Sequence, residues 1–299
     1  MALNIVEFFG YDPSDNSHSA IQCRKELRCP FLGSECKKKF SDGEISGACT
    51  VKQSSPEHII CCPHRLYAEE HKILIDVVEE AFGERLHIYP GLEAIKHCSQ
   101  GRVIAAFGKG WGHELRLPNR GKRGGYFVDW ILAVIDAKGK LSEFVAVEVQ
   151  TIDTTGSYRR ERDAYISGKK FDGASKAGLN WENVSKRILP QLIYKGHVLR
   201  REELCKKGMF FVCPSAVYRR ILERLGGVLD QYHMQPGTLT FRWYDPAPSV
   251  SAGQIRNLQC GGSHTTTIDR IAHAFTSPSN LPESGVYESA IRNALKLTA

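Results

Sequence analysis

Apolar residues along the chain recur in two rhythms. Leu66, Ile73, Leu74, Val77, Val78 and Phe82 return at three- and four-residue steps, which predicts an amphipathic helix over 66–82. Short apolar or alternating runs at 102–107, 126–135 and 143–151 predict strands, the last two being the strongest. Helices follow over 157–166 and 182–201, the second kinked or split by Pro190. Then come a strand at 209–213, a helix with Pro214 in its first turn, a strand at 238–244 and two helices near Ile268 and Tyr287. Residues 249–263 and 277–284 read as loops. Strands alternating with helices predict an α/β domain. The stretch from Arg24 to Glu57 breaks this rhythm. It is short of large apolar residues and rich in Lys, Ser, Gly and Glu, so it cannot build a core of its own. We therefore expect a cysteine-rich subdomain over 1–65 and a larger domain over 66–299.

Composition narrows the class. The chain has 299 residues, 42% hydrophobic and 24% charged, which excludes disorder and a collagen-like fibre. No apolar run approaches the roughly 18 residues of a membrane helix, and residues 1–7 carry no basic stretch before an apolar core. A soluble cytoplasmic protein without membrane contact is the expectation. The net charge of +7 is unevenly placed. Segments 102–123 and 156–195 each carry an excess of five positive charges, and the rest of the chain is slightly acidic. Such gathering suits a polyanion, because every neutralised phosphate releases counterions, although a solvated basic face gives the same pattern.

Six of the 10 cysteines lie in the first 62 residues. In a reducing compartment such a cluster more often binds metal than forms disulfides. Cys29, Cys36, Cys49 and Cys62 are spaced with six, twelve and twelve intervening residues, unlike the C-x2-C pairs of zinc ribbons. They are candidate ligands of a structural metal that would cross-link a segment lacking its own core, the alternative being unrelated thiols. Four thiolates accept iron or zinc.

The candidate chemistry sits between Tyr126 and Gln150. Asp136-Ala-Lys-Gly-Lys140 signals a turn, and a two-residue turn at Lys138-Gly139 sets Asp129 opposite Glu148. Cross-strand partners share a face, here together with Gln150, while Val145, Val147 and Val149 point the other way. Two facing carboxylates within apolar strands repel and are costly to desolvate. Magnesium answers both problems, since it accepts one or two carboxylates and keeps waters for substrate phosphate. Glu114 is a further acid for this cluster. The competing reading puts both acids on the solvent face of a half-exposed sheet.

Asp129-x18-Glu148-x-Gln150 resembles the PD-(D/E)xK nuclease core, with glutamine where that motif has lysine. The wider sequence resembles NotI- and EagI-type restriction endonucleases over most of the first 200 residues. The matching features are Glu7-Phe8-Phe9-Gly10, Cys29-Pro30-Phe31-Leu32, Cys62-Pro63 with Arg65, Asp129-Trp130, Glu148-Val-Gln150-Thr151-Ile-Asp153, Gly156-Ser157-Tyr158, Asn183-Val184-x-Lys186-Arg187, Gln191 and Tyr194-Lys195. The resemblance implies a mixed α/β sheet flanked by helices, with Glu114, Asp129, Glu148 and Gln150 as catalytic residues. Asp129 and Glu148 would hold Mg²⁺, and Gln150 would orient water. It maps a single-metal centre onto Cys29, Cys36, Cys49 and Cys62. It implies a homodimeric type II enzyme that hydrolyses double-stranded DNA at a GC-rich palindrome such as CGGCCG, leaving 5′-phosphate and 3′-hydroxyl ends. Candidate DNA contacts are Tyr158, Arg159, Arg160, Arg162, Lys186 and Arg187. Two other classes share parts of this pattern: a catalytically inactive metal-binding DNA reader, and an iron–sulfur redox protein using the N-terminal cysteines.

Overall fold

A computed structural model of the chain describes residues 3–53, 57–117, 126–173, 175–248 and 250–297. Part of the first basic segment, 118–125, lies outside the described residues. In chain order the main strands are β1 (Asn4–Phe8), β2 (Ala48–Lys52), β3 (Ile59–Ile60), β4 (Ile88–Pro90), β5 (Val103–Gly108), β6 (Trp130–Ile135), β7 (Leu141–Val149), β8 (Met209–Pro214), β9 (Thr238–Pro246) and β10 (Leu258–Thr267). The helices are α1 (His18–Lys25), α2 (Ala68–Phe82), α3 (Glu93–His97), α4 (Arg159–Ile166), α5 (Leu189–Leu199), α6 (Ser215–Arg224), α7 (Ile268–Thr276) and α8 (Val286–Ala294).

A seven-stranded mixed sheet runs β10-β9-β8-β7-β6-β5-β4, with β7, β8 and β9 mutually parallel and β5, β6 and β7 antiparallel. Strand alternation gives it two apolar faces. Leu132, Val134, Val145, Val147 and Phe210 pack under the Ile73, Leu74, Val77 and Val78 stripe of α2. Ile131, Ala133, Ala146, Phe211 and Phe241 pack on the other side with Leu189, Leu192 and Leu199 of α5, Val217 and Ile221 of α6, and Ile268 and Ile271 of α7. The result is helix, sheet, helix, with both sheet faces covered.

The N-terminal segment builds a three-stranded sheet, β1-β2-β3, whose Phe8, Val51 and Ile60 are fully buried. Leu3, Phe8, Cys29 and Val51 belong to the same apolar cluster as α5, α6 and α7. This region therefore draws on the core of the larger sheet, as its composition demands. Its anchor is ionic. Arg65 Nε donates to Glu7 Oε2 at 2.9 Å, Arg65 Nη2 donates to Glu7 Oε1 at 3.1 Å and to the Arg256 carbonyl at 2.7 Å, and both side chains are buried. The Thr50 hydroxyl donates to the same carboxylate.

Several expectations need correction. Strand 126–135 is interrupted: Tyr126–Phe127 pairs with Arg116–Leu117, and β6 starts only at Trp130, with Asp129 in the break. Pro214 ends β8 and caps α6 rather than lying in its first turn. Residues 258–263, expected as loop, belong to β10, an edge strand whose Gln-Cys-Gly-Gly-Ser-His run shows no apolar alternation. Helix 182–201 divides as Pro190 requires, into a π-helical turn at Val184–Ile188 and α5, with the proline in the first turn of α5. The predicted helix 66–82 starts with a 3₁₀ turn over Pro63–Tyr67. It then passes Glu69, Glu70 and His71 in left-handed conformation, at φ 56°, 54° and 63°, before α2 winds normally.

Candidate active site

The β6–β7 hairpin carries the two acids. Its loop is not the expected two-residue turn. The Gly139 N–H donates to the Asp136 carbonyl and the Asp136 N–H to the Lys140 carbonyl, each at 2.9 Å, which closes a three-residue loop with Gly139 at φ 75°. The Asp136 carboxylate accepts the N–H groups of Lys138 at 2.8 Å and Lys140 at 2.9 Å. That longer loop shifts the pairing by one residue, and a bulge at Ser142 shifts it back. Trp130 pairs with Val147, Ile131 with Ala146 and Leu132 with Val145. The expected register holds along the strands that matter, and its continuation sets Asp129 beside Glu148.

Asp129 lies just before β6. Its Oδ2 accepts the Val149 N–H at 2.8 Å, which ties it across the hairpin. Glu148 follows Ala146 on the sheet face covered by α5, and its side chain is 13% exposed. Burial raises both carboxyls above the usual carboxylate range; for Glu148 burial and the Asp129 charge together, against the pull of Lys195, give about 7. The Val149 N–H and the Lys195 ammonium act against that rise on Asp129. The solvent-face reading of the two acids is therefore replaced by a half-buried like-charge pair.

Lys195, on α5, is 6% exposed, and its Nζ donates to Glu148 Oε1 at 2.6 Å. Glu148 Oε2 is buried without a hydrogen-bond partner among the described residues. An orphaned, buried carboxylate oxygen beside a second carboxylate fits a hard divalent cation. Glu114 and Lys109, in the segment after β5, lie near enough to act on the Asp129 charge with opposite sign. The glycine-rich turn at 108–112 makes this proximity possible: an added Cβ at Gly108 would stand 2.7 Å from the Asp129 carbonyl oxygen and 2.3 Å from the Trp130 ring. Gln150 donates its backbone N–H to the Val212 carbonyl at 2.9 Å and is half-buried at the end of β7.

Tyr67 was not anticipated. Its hydroxyl accepts the Trp130 Nε1–H at 3.1 Å, and burial together with the Asp129 and Glu148 charges raises its phenol. The sequence carried no signal for it, because the contact depends on how the 3₁₀ turn crosses the sheet. Lys195 did leave a signal. It shares the inward face of α5 with Leu189, Leu192, Gly196 and Leu199, where a lysine has no reason to be unless it meets a charge.

The cysteine candidates are all buried and free. Burial pushes the Cys49 thiol well up, with Cys62, Cys36 and Cys29 adding to the rise, so the four sulfurs share one neighbourhood. Among the described residues, however, no group of three or more His, Cys, Asp or Glu stands in a metal-holding arrangement. The four-cysteine centre is not formed as a ligand cage. Lys38 caps this region, its Nζ donating to the Cys61 carbonyl at 2.7 Å and contacting Cys61 Sγ at 2.9 Å.

A cleft of about 540 Å³ opens between this region and the segment following β7, lined by Lys37, Lys39, His64, Asn183 and Arg187. The DNA-contact candidates divide around it. Tyr158 is buried and its hydroxyl lies 2.7 Å from Ser46 Oγ. Arg159 is paired with Asp42 and Glu44, Arg162 with Asp163, and Lys186 with Glu182. Arg160 is exposed on the first turn of α4.

No helix among the described residues is long and apolar enough to cross a membrane. No curated protein matches the chain. Comparison with protein families matches residues 16–225 to the family described as restriction endonuclease NotI. The match takes in the cysteine segment, both hairpin strands, α5 and α6, more than two thirds of the chain. It decides for an enzyme over an inactive DNA reader or a redox protein. The chain belongs to the NotI family of restriction endonucleases and is a site-specific deoxyribonuclease that binds DNA.

Proposed function

We propose that the protein is a Mg²⁺-dependent type II restriction endonuclease whose reaction centre is the Asp129–Glu148 pair. The observation that carries this reading is the buried Glu148 Oε2, without a hydrogen-bond partner among the described residues, beside Asp129 at the start of the neighbouring strand. Asp129 and Glu148 would hold the ion, with the Glu114 charge near enough to act on Asp129 although the three acids form no cage among the described residues. Magnesium, when bound, supplies a Lewis acid for the phosphoryl oxygens and favours ionisation of the attacking water. Gln150, an amide, orients that water by hydrogen bonds without adding charge. Water attacks phosphorus as the bond to the 3′ oxygen breaks; that oxygen takes a proton, leaving 3′-hydroxyl and 5′-phosphate ends.

Supporting the DNA assignment is the basic cleft lined by Lys37, Lys39 and Arg187. A GC-rich palindrome such as CGGCCG is the expected substrate, cut by a homodimer because a two-fold site mirrors a two-fold protein. A structural iron or zinc at Cys29, Cys36, Cys49 and Cys62 rests on the sequence resemblance alone, since the described residues form no ligand cage there. Metal analysis giving one iron or zinc per chain, lost on replacing Cys49, checks it.

Incubating the purified protein with a CGGCCG-containing plasmid and Mg²⁺ tests the main reading. Discrete fragments with 5′-phosphates are expected. Asp129→Asn and Glu148→Gln should stop cutting while retaining DNA binding in Ca²⁺. Undiminished cutting by either variant removes this site from the reaction.

A further inference from the structure

A two-carboxylate site needs its charges held apart and aimed, and the strand that carries Glu148 offers only an amide at Gln150 for the purpose. The structure supplies a cation from elsewhere. Lys195 lies on α5, on the face where every neighbouring inward position is apolar or glycine: Leu189, Leu192, Gly196 and Leu199. Its ammonium is buried, yet it is within 2.6 Å of Glu148 Oε1. The placement is fixed by packing. At Gly196 an added Cβ would stand 2.3 Å from Ile268 Cδ1, so α5 lies directly against α7 and cannot slide. The pair is asymmetric. Oε1 takes the ammonium, and Oε2 is left buried and without a hydrogen-bond partner among the described residues.

We propose that Lys195 is the positioning residue of this site: its ammonium fixes Glu148 by Oε1, so that Oε2 is the oxygen presented to the divalent cation, and it supplies from a helix the positive charge that Gln150 cannot. This inference rests on the reading of Asp129 and Glu148 as the ion-holding pair. Lys195 is not an ion ligand, and it acts through the carboxylate it holds. A lysine serving stability alone would, on replacement by methionine, lower the melting temperature by leaving Glu148 without its ion partner, yet leave Mn²⁺ binding unchanged.

The test compares Lys195→Met, Lys195→Gln and Lys195→Arg. Each is read by thermal melting, by Mn²⁺ titration of the DNA-free protein followed by electron paramagnetic resonance, and by single-turnover plasmid cleavage at saturating Mg²⁺. Lys195→Met and Lys195→Gln should bind Mn²⁺ at least tenfold more weakly and cut at least 100-fold more slowly. Lys195→Arg, which keeps the charge, should recover most of the Mn²⁺ affinity. Should Lys195→Met fail to fold, Lys195→Gln, which keeps a hydrogen bond to Oε1, carries the comparison with Lys195→Arg. Unchanged Mn²⁺ binding in the neutral variants overturns the proposal even if cutting slows, and so does cutting within threefold of the parent. Asp129→Asn separates the two levels. If it cuts normally, the ion-holding pair itself is misassigned; if it is dead while the neutral Lys195 variants are normal, only the lysine's role falls.

Discussion

Burial takes the Asp129 and Glu148 carboxylates out of water, and each charge makes the other harder to form, while Lys195 and the Val149 N–H favour ionisation. In the metal-free protein Glu148 is raised to about 7. The unfolded value is about 4.3, so this group favours the folded state fully below that pH, and the contribution is lost as pH rises through about 7. A cation that binds only the ionised form works in the opposite sense and must displace a proton below neutrality. The Mg²⁺ concentration for half-maximal cutting should therefore climb up to about tenfold per pH unit below 7 and level off above it. Magnesium titrations at pH 6, 7 and 8 check this, and a flat dependence contradicts it. The second buried pair, Glu7–Arg65, lies far from water on both sides. Arg65→Ala leaves the Glu7 charge without its ion partner, and urea unfolding should show a loss of about 3–5 kcal/mol.

At the scale of elements, the hairpin and its neighbours aim the acids. Gly108 ends β5 against Asp129, and a methyl group there would press on the Asp129 carbonyl and the Trp130 ring. Gly108→Ala should cost about 1–3 kcal/mol of stability by overpacking and lower cleavage further than the stability loss explains, because Asp129 is displaced. Cleavage rates measured well below the melting temperature separate the two effects. The sheet and the acid pair were legible in the sequence because a two-residue period fixes which residues share a face, and Val145, Val147 and Val149 leave no doubt about the apolar side. The loop was misread at Lys138-Gly139, because Asp136 closes a longer turn through its own carboxylate, and the bulge at Ser142 that restores the register has no sequence mark. β10 escaped notice because its Gly261-Gly262 pair and polar neighbours read as loop, although β9 supplies it with a full ladder. Lys195 and Tyr67 belong to elements distant in sequence from the hairpin, so only the lysine's apolar company hinted at its role.

Over the whole molecule, the cleft lined by Lys37, Lys39 and, from the second basic segment, Arg187 is the surface proposed to meet DNA. Neutralising phosphates releases counterions, so the logarithm of affinity should fall linearly with the logarithm of salt concentration, by about 0.9 per phosphate contacted. Arg187 lines the cleft, whereas Arg159 is engaged by Asp42 and Glu44. Arg187→Ala should therefore lower the salt slope by about one and weaken cognate and non-cognate duplexes alike, with Arg159→Ala changing the slope less. Fluorescence anisotropy over a salt series measures both. The account as a whole depends on one ion shared by two strands. A crystal of the protein with cognate duplex and Mn²⁺, examined by anomalous diffraction, should show a peak ligated by Asp129 and by Glu148 Oε2, next to the phosphate to be cut. A duplex-bound crystal whose anomalous peaks all lie away from those two carboxylates would contradict it.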